Sequence, residues 1–173
     1  MTPGLVAVRL ADTHRLIPSR FPPVGVFDAV ASAGDLEAVL ELEGWTNDRI
    51  AAELGVVHML PTDEWLTGAP NASIVMAAFC HPHPDGGRFN TPDLGAWYAA
   101  LALDTAIAET VFHRTRELDE IGVYETFVHM RQYLADFDCA LHDVRPSPAF
   151  DDCHDSDSYS AGQALSRALR PAG

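Results

Sequence analysis

A single domain mixing strands and helices, α/β in the sense of a mixed α+β fold, is what this sequence predicts, on three observations. The chain has 173 residues, 47% of them apolar, enough to bury roughly two thirds of the surface its unfolded form exposes. Stretches with helical spacing alternate with short apolar runs bounded by Gly and Pro. No internal repeat or low-complexity linker interrupts residues 1–173, and the Pro and Gly clusters at 18–25, 82–87 and 145–148 read as loops within one domain.

The first helix is expected over 35–43, where Leu36, Val39 and Leu40 share a face behind a capping Asp35, and Gly44 stops the run. A second short helix is expected to start at Thr46 or Asn47 and end at Gly55. The continuous apolar run Ile74–Cys80, bounded by Gly68, Pro70 and Pro82, reads as a strand buried on both faces. A second strand is expected over Gly95–Ala100, and a helix from about Asp104 to Leu118 with Ile107, Val111 and Leu118 on one arc. Glu109 lies to the side of that arc, where it can face a cleft. Alternating Val123, Glu125, Phe127 and His129 suggest strands between 123 and 134, and a helix over 157–169 ends the pattern.

Charge narrows the function. With 25 acidic and 11 basic residues the formal charge is -14, and all eleven basic residues are arginine. Direct binding to nucleic acid or an anionic membrane needs clustered positive charge, which no segment supplies. A small anionic ligand held by two or three arginines fits better. Cys80, Cys139 and Cys153 form no C-x-x-C pair, and the chain opens without a charged start and a long apolar run, which together point to a reducing cytoplasm. The longest apolar runs fall far short of the roughly 20 residues that cross a membrane.

The chemistry-bearing pattern is Gly86-Gly87-Arg88-Phe89-Asn90, then Tyr98 ten residues after Arg88, then Glu109 eleven after Tyr98. Paired glycines let backbone approach a ligand, and an arginine fork suits phosphate oxygens. A tyrosine at a strand end can stack on a heterocycle, and a glutamate can bond a ribose hydroxyl or stabilise positive charge on an anomeric carbon. Each residue alone has a structural explanation: a Gly-Gly-Arg turn is usually only a turn, and a tyrosine on a strand is usually core. Cys80, His81, His83 and Asp85 form a weaker cluster. No second ligand pair recurs at zinc spacing, and Glu109 with His113 lacks the second His of a metalloprotease helix, so no metal is expected. The acidic Asp151, Asp152, Asp155 and Asp157 lack a calcium loop's central Gly and terminal Glu. No Gly-x-Ser-x-Gly turn is present to carry a hydrolase serine.

These motifs, in this order, resemble the RES-domain family, toxins of bacterial type II toxin–antitoxin pairs. The resemblance runs through His14-Arg-Leu-Ile-Pro-Ser-Arg-Phe-Pro-Pro23, Leu42-Glu-Gly-Trp-Thr-Asn-Asp-Arg49, Met76-Ala-Ala-Phe79, Gly86–Asn90, Tyr98-Ala-Ala100 and Thr105–His113. It continues through Leu141-His-Asp-Val-Arg145 and Tyr159-Ser-Ala-Gly-Gln163. It implies a fold related to ADP-ribosyltransferases and cleavage of the nicotinamide–ribose bond of NAD, with water, phosphate or a protein as acceptor. Carried across, Arg15 and Arg88 match the family's arginines, Tyr98 its tyrosine and Glu109 its glutamate. Arg15, Arg88 and Tyr98 would bind NAD as substrate. The resemblance further implies a helix-turn-helix antitoxin as partner.

The family's serine stands on a strand after a helix like Tyr159–Arg170. Ser158, Ser160 and Ser166 precede or lie within that helix, and the sequence given stops at Gly173. The expectation is therefore a RES domain lacking its last strands, self-associating through an exposed sheet edge. Two readings stay open: an NAD-cleaving toxin, or a catalytically degenerate RES domain that keeps an antitoxin-binding surface.

Overall fold

A computed structural model describes residues 1–19, 25–43, 54–145 and 147–170. Helices and strands are mixed, as expected. The chain divides into two compact units, one of residues 1–2, 23–97 and 144–173, the other of residues 3–22 and 98–143.

The first unit is mainly helical. A single turn, α1 (Val26–Ala29), leads into α2 (Ala33–Glu43), followed by 3-10 turns at Val57–Met59 and Thr62–Glu64, then α3 (Ala72–Cys80). Its centre is a cluster of Phe27, Val30, Leu36, Leu54, Val57, Leu60, Ala72, Met76 and Cys80. Helix α2 forms where its spacing predicts it, and Leu36 is completely buried. Its cap is Ser32 rather than Asp35: Ser32 Oγ accepts from the Asp35 amide at 3.2 Å and donates to Asp35 Oδ2 at 2.8 Å. Asp35 is the third residue of the helix, and its carboxylate meets the hydroxyl of the cap. The helix expected from Thr46 or Asn47 to Gly55 falls largely outside the described residues.

Ile74–Cys80 is helix, not strand. A continuous apolar run carries no period with which to choose, and here Ala72, Ala77 and Ala78 favour helix. Ala72, Met76 and Cys80, four apart, point one ridge into the core. Asp28 holds the start of α3 from outside it, its Oδ2 accepting from the Ser73 amide at 2.9 Å while its own amide donates to Ser73 Oγ at 3.2 Å. A carboxylate at a helix N-terminus meets unpaired amides and the positive end of the dipole. Burial works against ionisation of Asp28, but hydrogen bonds from the Ser73 hydroxyl and amide, then from the Gly25 and Asn71 amides, outweigh it and hold the carboxyl below its ordinary 3.8. The unit closes with a 3-10 stretch, Pro148–His154, packed against α5 (Ser160–Leu169).

The second unit is a ribbon and a helix. Strands β1 (Gly4–Pro18) and β2 (Met130–Asp143) pair antiparallel along nearly their whole length. Two residues of β1, Ala11 and Asp12, stand opposite Asp136 alone, which makes a β-bulge between Leu10 and Thr13. Asp12 takes φ 53° there, and its amide donates to Asp136 Oδ1 at 2.9 Å. Helix α4 (Leu103–Glu120) packs on β1. It ends in a Schellman turn: Gly122, at φ 67°, donates to the Asp119 carbonyl and Val123 to that of Leu118.

That turn displaces the strand expected over 123–134. Residues 123–129 are irregular and the ladder starts at Met130. Gly95–Ala100 is not a strand either; its pairing is one bridge, Ala100 with His14, at 2.8 and 2.9 Å. Ile107 and Val111, expected on the apolar arc of α4, are 44% and 57% exposed, and the helix's buried residue is Ala106.

Candidate functional site

The Gly-Gly-Arg sequence forms a tight turn closed by Gly87 and Asn90, with Gly87 N donating to Asn90 O at 2.9 Å. Gly86 has φ 73°, and a Cβ there would overlap the Asn90 carbonyl. Only glycine meets both demands without strain. Asn90 is buried and its Nδ2 donates to the Thr91 and Leu94 carbonyls at 3.1 Å each, so the turn is tied to the chain that follows.

Helix α5 brackets the same turn from far along the chain. Gln163 Nε2 donates to the carbonyls of Asp85 at 3.0 Å and Gly87 at 3.1 Å. Gly162 is buried, and a Cβ on it would overlap the Arg88 carbonyl. The Tyr159–Gln163 motif thus meets the Gly86–Asn90 motif. The sequence marks the former as a motif without assigning its residues a part; its signal is a Gly-Gln pair on the first turns of an amphipathic helix.

Arg88 is half-buried. Its Nη1 donates to the Asp155 carbonyl at 3.2 Å, and its guanidinium lies 5.5 Å from the centroid of the Tyr159 ring. Both partners are neutral. Among the described residues no carboxylate pairs with Arg88, so a half-buried positive charge is held in place without being cancelled. A guanidinium has five N–H donors in a planar fork, and the Asp155 carbonyl uses one. The arrangement is suited to an anion presenting two oxygens.

Arg15 and Tyr98 are brought together in the other unit. Arg15 stands on β1 opposite Tyr133, and its Nη1 donates to the Tyr98 carbonyl at 3.1 Å. The adjacent His14–Ala100 bridge fixes the two segments at this point. Burial lowers the Arg15 pKa to about 10, with the charge of Tyr98 acting in the opposite direction, so the guanidinium stays protonated at neutral pH. Tyr98 is 39% exposed. Glu109 lies on an exposed flank of α4, beside exposed Phe112, His113 and Arg116.

The competing clusters offer less. Cys80 is a buried core thiol whose pKa burial raises to about 12, and His83 Nδ1 accepts from the Asp85 amide at 3.2 Å. Among the described residues no three His, Cys, Asp or Glu side chains converge as a metal site. No helix among them is long and apolar enough to cross a membrane.

Residues 63–173, well over half of the chain, match the family model described as the RES domain. The match contains Arg88, Tyr98 and Glu109 and begins after Arg15. The uncharacterized protein y4oC of Sinorhizobium fredii (strain NBRC 101917 / NGR234) is 33% identical over 142 residues, covering 74% of this chain. The chain spans 60% of the length of that curated relative. No solved structure matches.

Proposed function

The chain belongs to the RES-domain family, and from that premise we propose that it acts as an NAD-consuming toxin of the cytoplasm, breaking the nicotinamide–ribose bond. The observation that carries this reading is the uncancelled charge of Arg88, presented on a glycine turn that the Tyr159–Gln163 segment braces. A diphosphate is the part of NAD such a fork would grip.

The reaction divides among the residues as follows. Arg88 and Arg15 bind phosphate oxygens, and Tyr98, partly exposed, offers its ring to the nicotinamide end. The C–N bond breaks with its electron pair leaving on nicotinamide, and the ribose acquires oxocarbenium character. Water, phosphate or a protein nucleophile then forms the new bond at that carbon, much as in glycoside cleavage. The Glu109 carboxylate stabilises the cation, a contribution made mainly in the transition state.

Removing Arg88 should therefore weaken NAD binding by about 1.5–3 kcal/mol, with Arg88→Lys recovering little because a point charge does not reproduce the fork. Glu109→Gln should abolish nicotinamide release while leaving NAD affinity nearly unchanged. Release is followed in water, with added phosphate, and with candidate protein acceptors. Calorimetry showing equal NAD affinity in wild type and Arg88→Ala would sink the assignment.

A second reading, a non-catalytic interaction module that holds an antitoxin or a second copy, is favoured by one observation: Ile107, Val111 and Phe112 are all exposed on the helix that carries Glu109. A folded chain that leaves NAD intact under all three conditions, yet sediments as a stable oligomer, would make this reading the better one.

A further inference from the structure

The hydroxyl of Tyr159 is buried and has no hydrogen-bond partner among the described residues. That hydroxyl contributes no hydrogen bond, so the contact this side chain is seen to make is through its ring. The hydroxyl is closed to solvent in the folded chain. The ring, by contrast, has a visible role, because it lies beside the Arg88 guanidinium, 5.5 Å from centroid to Cζ.

We infer that Tyr159 is a positioning residue for Arg88, its ring face holding the guanidinium against the Asp155 carbonyl so that the fork is fixed before an anion arrives. An arginine side chain has many rotamers, and binding with a free one gives up that freedom on each encounter. Here three contacts from one stretch of chain restrict it. Asp155 takes one donor at 3.2 Å, the Tyr159 ring attracts the cation, and Gln163 fixes the turn on which Arg88 stands. None of the three supplies negative charge, so the positive charge is oriented without being spent on an ion pair. The absence of a carboxylate matters: a neutral clamp leaves the guanidinium attractive to phosphate, whereas an ion pair would have to be broken.

The inference rests on the reading of Arg88 as the diphosphate's partner, and its test separates the two. NAD affinity is measured by calorimetry for the full chain, for Tyr159→Phe, Tyr159→Leu and Arg88→Ala, and for Tyr159→Leu combined with Arg88→Ala. Tyr159→Phe should bind within about twofold of wild type, and Tyr159→Leu about tenfold more weakly, the size expected from a partly desolvated cation–ring contact and lost preorganisation. In the Arg88→Ala background, Tyr159→Leu should cost nothing further, because the ring acts only through Arg88. In parallel, the Arg88 Nε–H resonance of the arginine-labelled chain, assigned by its disappearance in Arg88→Ala, should keep its ring-current shift in Tyr159→Phe and lose it in Tyr159→Leu. If Tyr159→Leu costs the same with and without Arg88, or the resonance does not move, the positioning role is overturned. A tenfold loss in Tyr159→Phe also overturns it, and that variant decides the matter should Tyr159→Leu not fold. If Arg88→Ala leaves NAD affinity unchanged while the ring-current shift behaves as expected, the diphosphate reading falls and the Tyr159–Arg88 pairing stands.

Discussion

The helical unit and the ribbon unit stay folded by different means. In the first, Phe27, Leu36 and Cys80 are completely buried at the middle of a cluster that draws on α1, α2 and α3. In the second, the buried residues among those described are Pro3, Thr13, Ala100 and Ala106, none of them large, while Leu5, Ile107, Val111, Tyr124 and Phe127 are exposed. Apolar burial is the dominant favourable term in one, and a long backbone ladder is the conspicuous one in the other. A two-stranded ribbon is marginal by itself in water. Arg88 belongs to the first unit, and Arg15, Tyr98 and Glu109 belong to the second.

Truncating side chains should expose the contrast most strongly. Leu36→Ala removes a side chain from the packed centre and should cost about 2–5 kcal/mol, whereas Val111→Ala on the open side of α4 should stay within about 0.5 kcal/mol. Chemical denaturation of both variants checks the pair, and equal losses would break the comparison. On the ribbon the vulnerable groups are polar. Thr13 Oγ1 donates to the Ala135 carbonyl at 2.7 Å beside the bulge, so Thr13→Val, nearly the same shape, should cost about 1–2 kcal/mol by leaving a carbonyl without its donor.

Asp28 gives a smaller effect with a pH signature. Asp28→Ala should cost about 1 kcal/mol as the loss of a helix cap. Because the folded chain holds this carboxyl below 3.8, its ionised form contributes stability that is present above that value and is lost as pH falls through the depressed folded one. The advantage of wild type over Asp28→Asn in denaturant midpoint should therefore be full at neutral pH and shrink below pH 3.8. A gap that widens on acidification would reverse the sign of the linkage. Smallest in energy is thiol chemistry: Cys80 and Cys153 are buried and Cys139 is exposed on β2. A native thiol titration should show one fast cysteine, lost in Cys139→Ser, and two that react only on unfolding.

Elements with a period or a stop signal were legible in the sequence. The spacing of Leu36 and Val39 placed α2, and the stretch after Asp104 placed α4 to within a turn at its end. Ile74–Cys80 was not legible as helix, because every residue in it is apolar and neither a two-residue nor a 3.6-residue period can appear. The strand β1 escaped because Arg9, Asp12, His14 and Arg15 interrupt its apolar pattern, and a long antiparallel ladder tolerates such residues where one face is open. At the candidate site, the glycine turn and Arg88 follow from local sequence. The approach of Asp155, Tyr159 and Gln163 to that turn is a tertiary contact across some seventy positions, and no local rule encodes it.

The bulge between Leu10 and Thr13 changes the parity of β1. Val6, Val8 and Leu10 stand opposite Leu141, Cys139 and Phe137; after the bulge, Thr13, Arg15 and Ile17 stand opposite Ala135, Tyr133 and Arg131. All six partners carry odd numbers, so they lie on one face of β2, and even positions before the bulge share that face with odd positions after it. Counted straight along an uninterrupted strand, Arg15 would instead side with Leu5, Ala7 and Arg9, which are exposed. By taking up one residue without a partner of its own, the bulge keeps this arginine on the half-buried row, where it reaches the Tyr98 carbonyl. Deleting Asp12 would regularise the ladder and leave Arg15 opposite Tyr133 on the same face, whereas keeping Asp12 and pairing it without a bulge would turn Arg15 to the opposite face. The irregularity in the strand is what sets the direction of its charge.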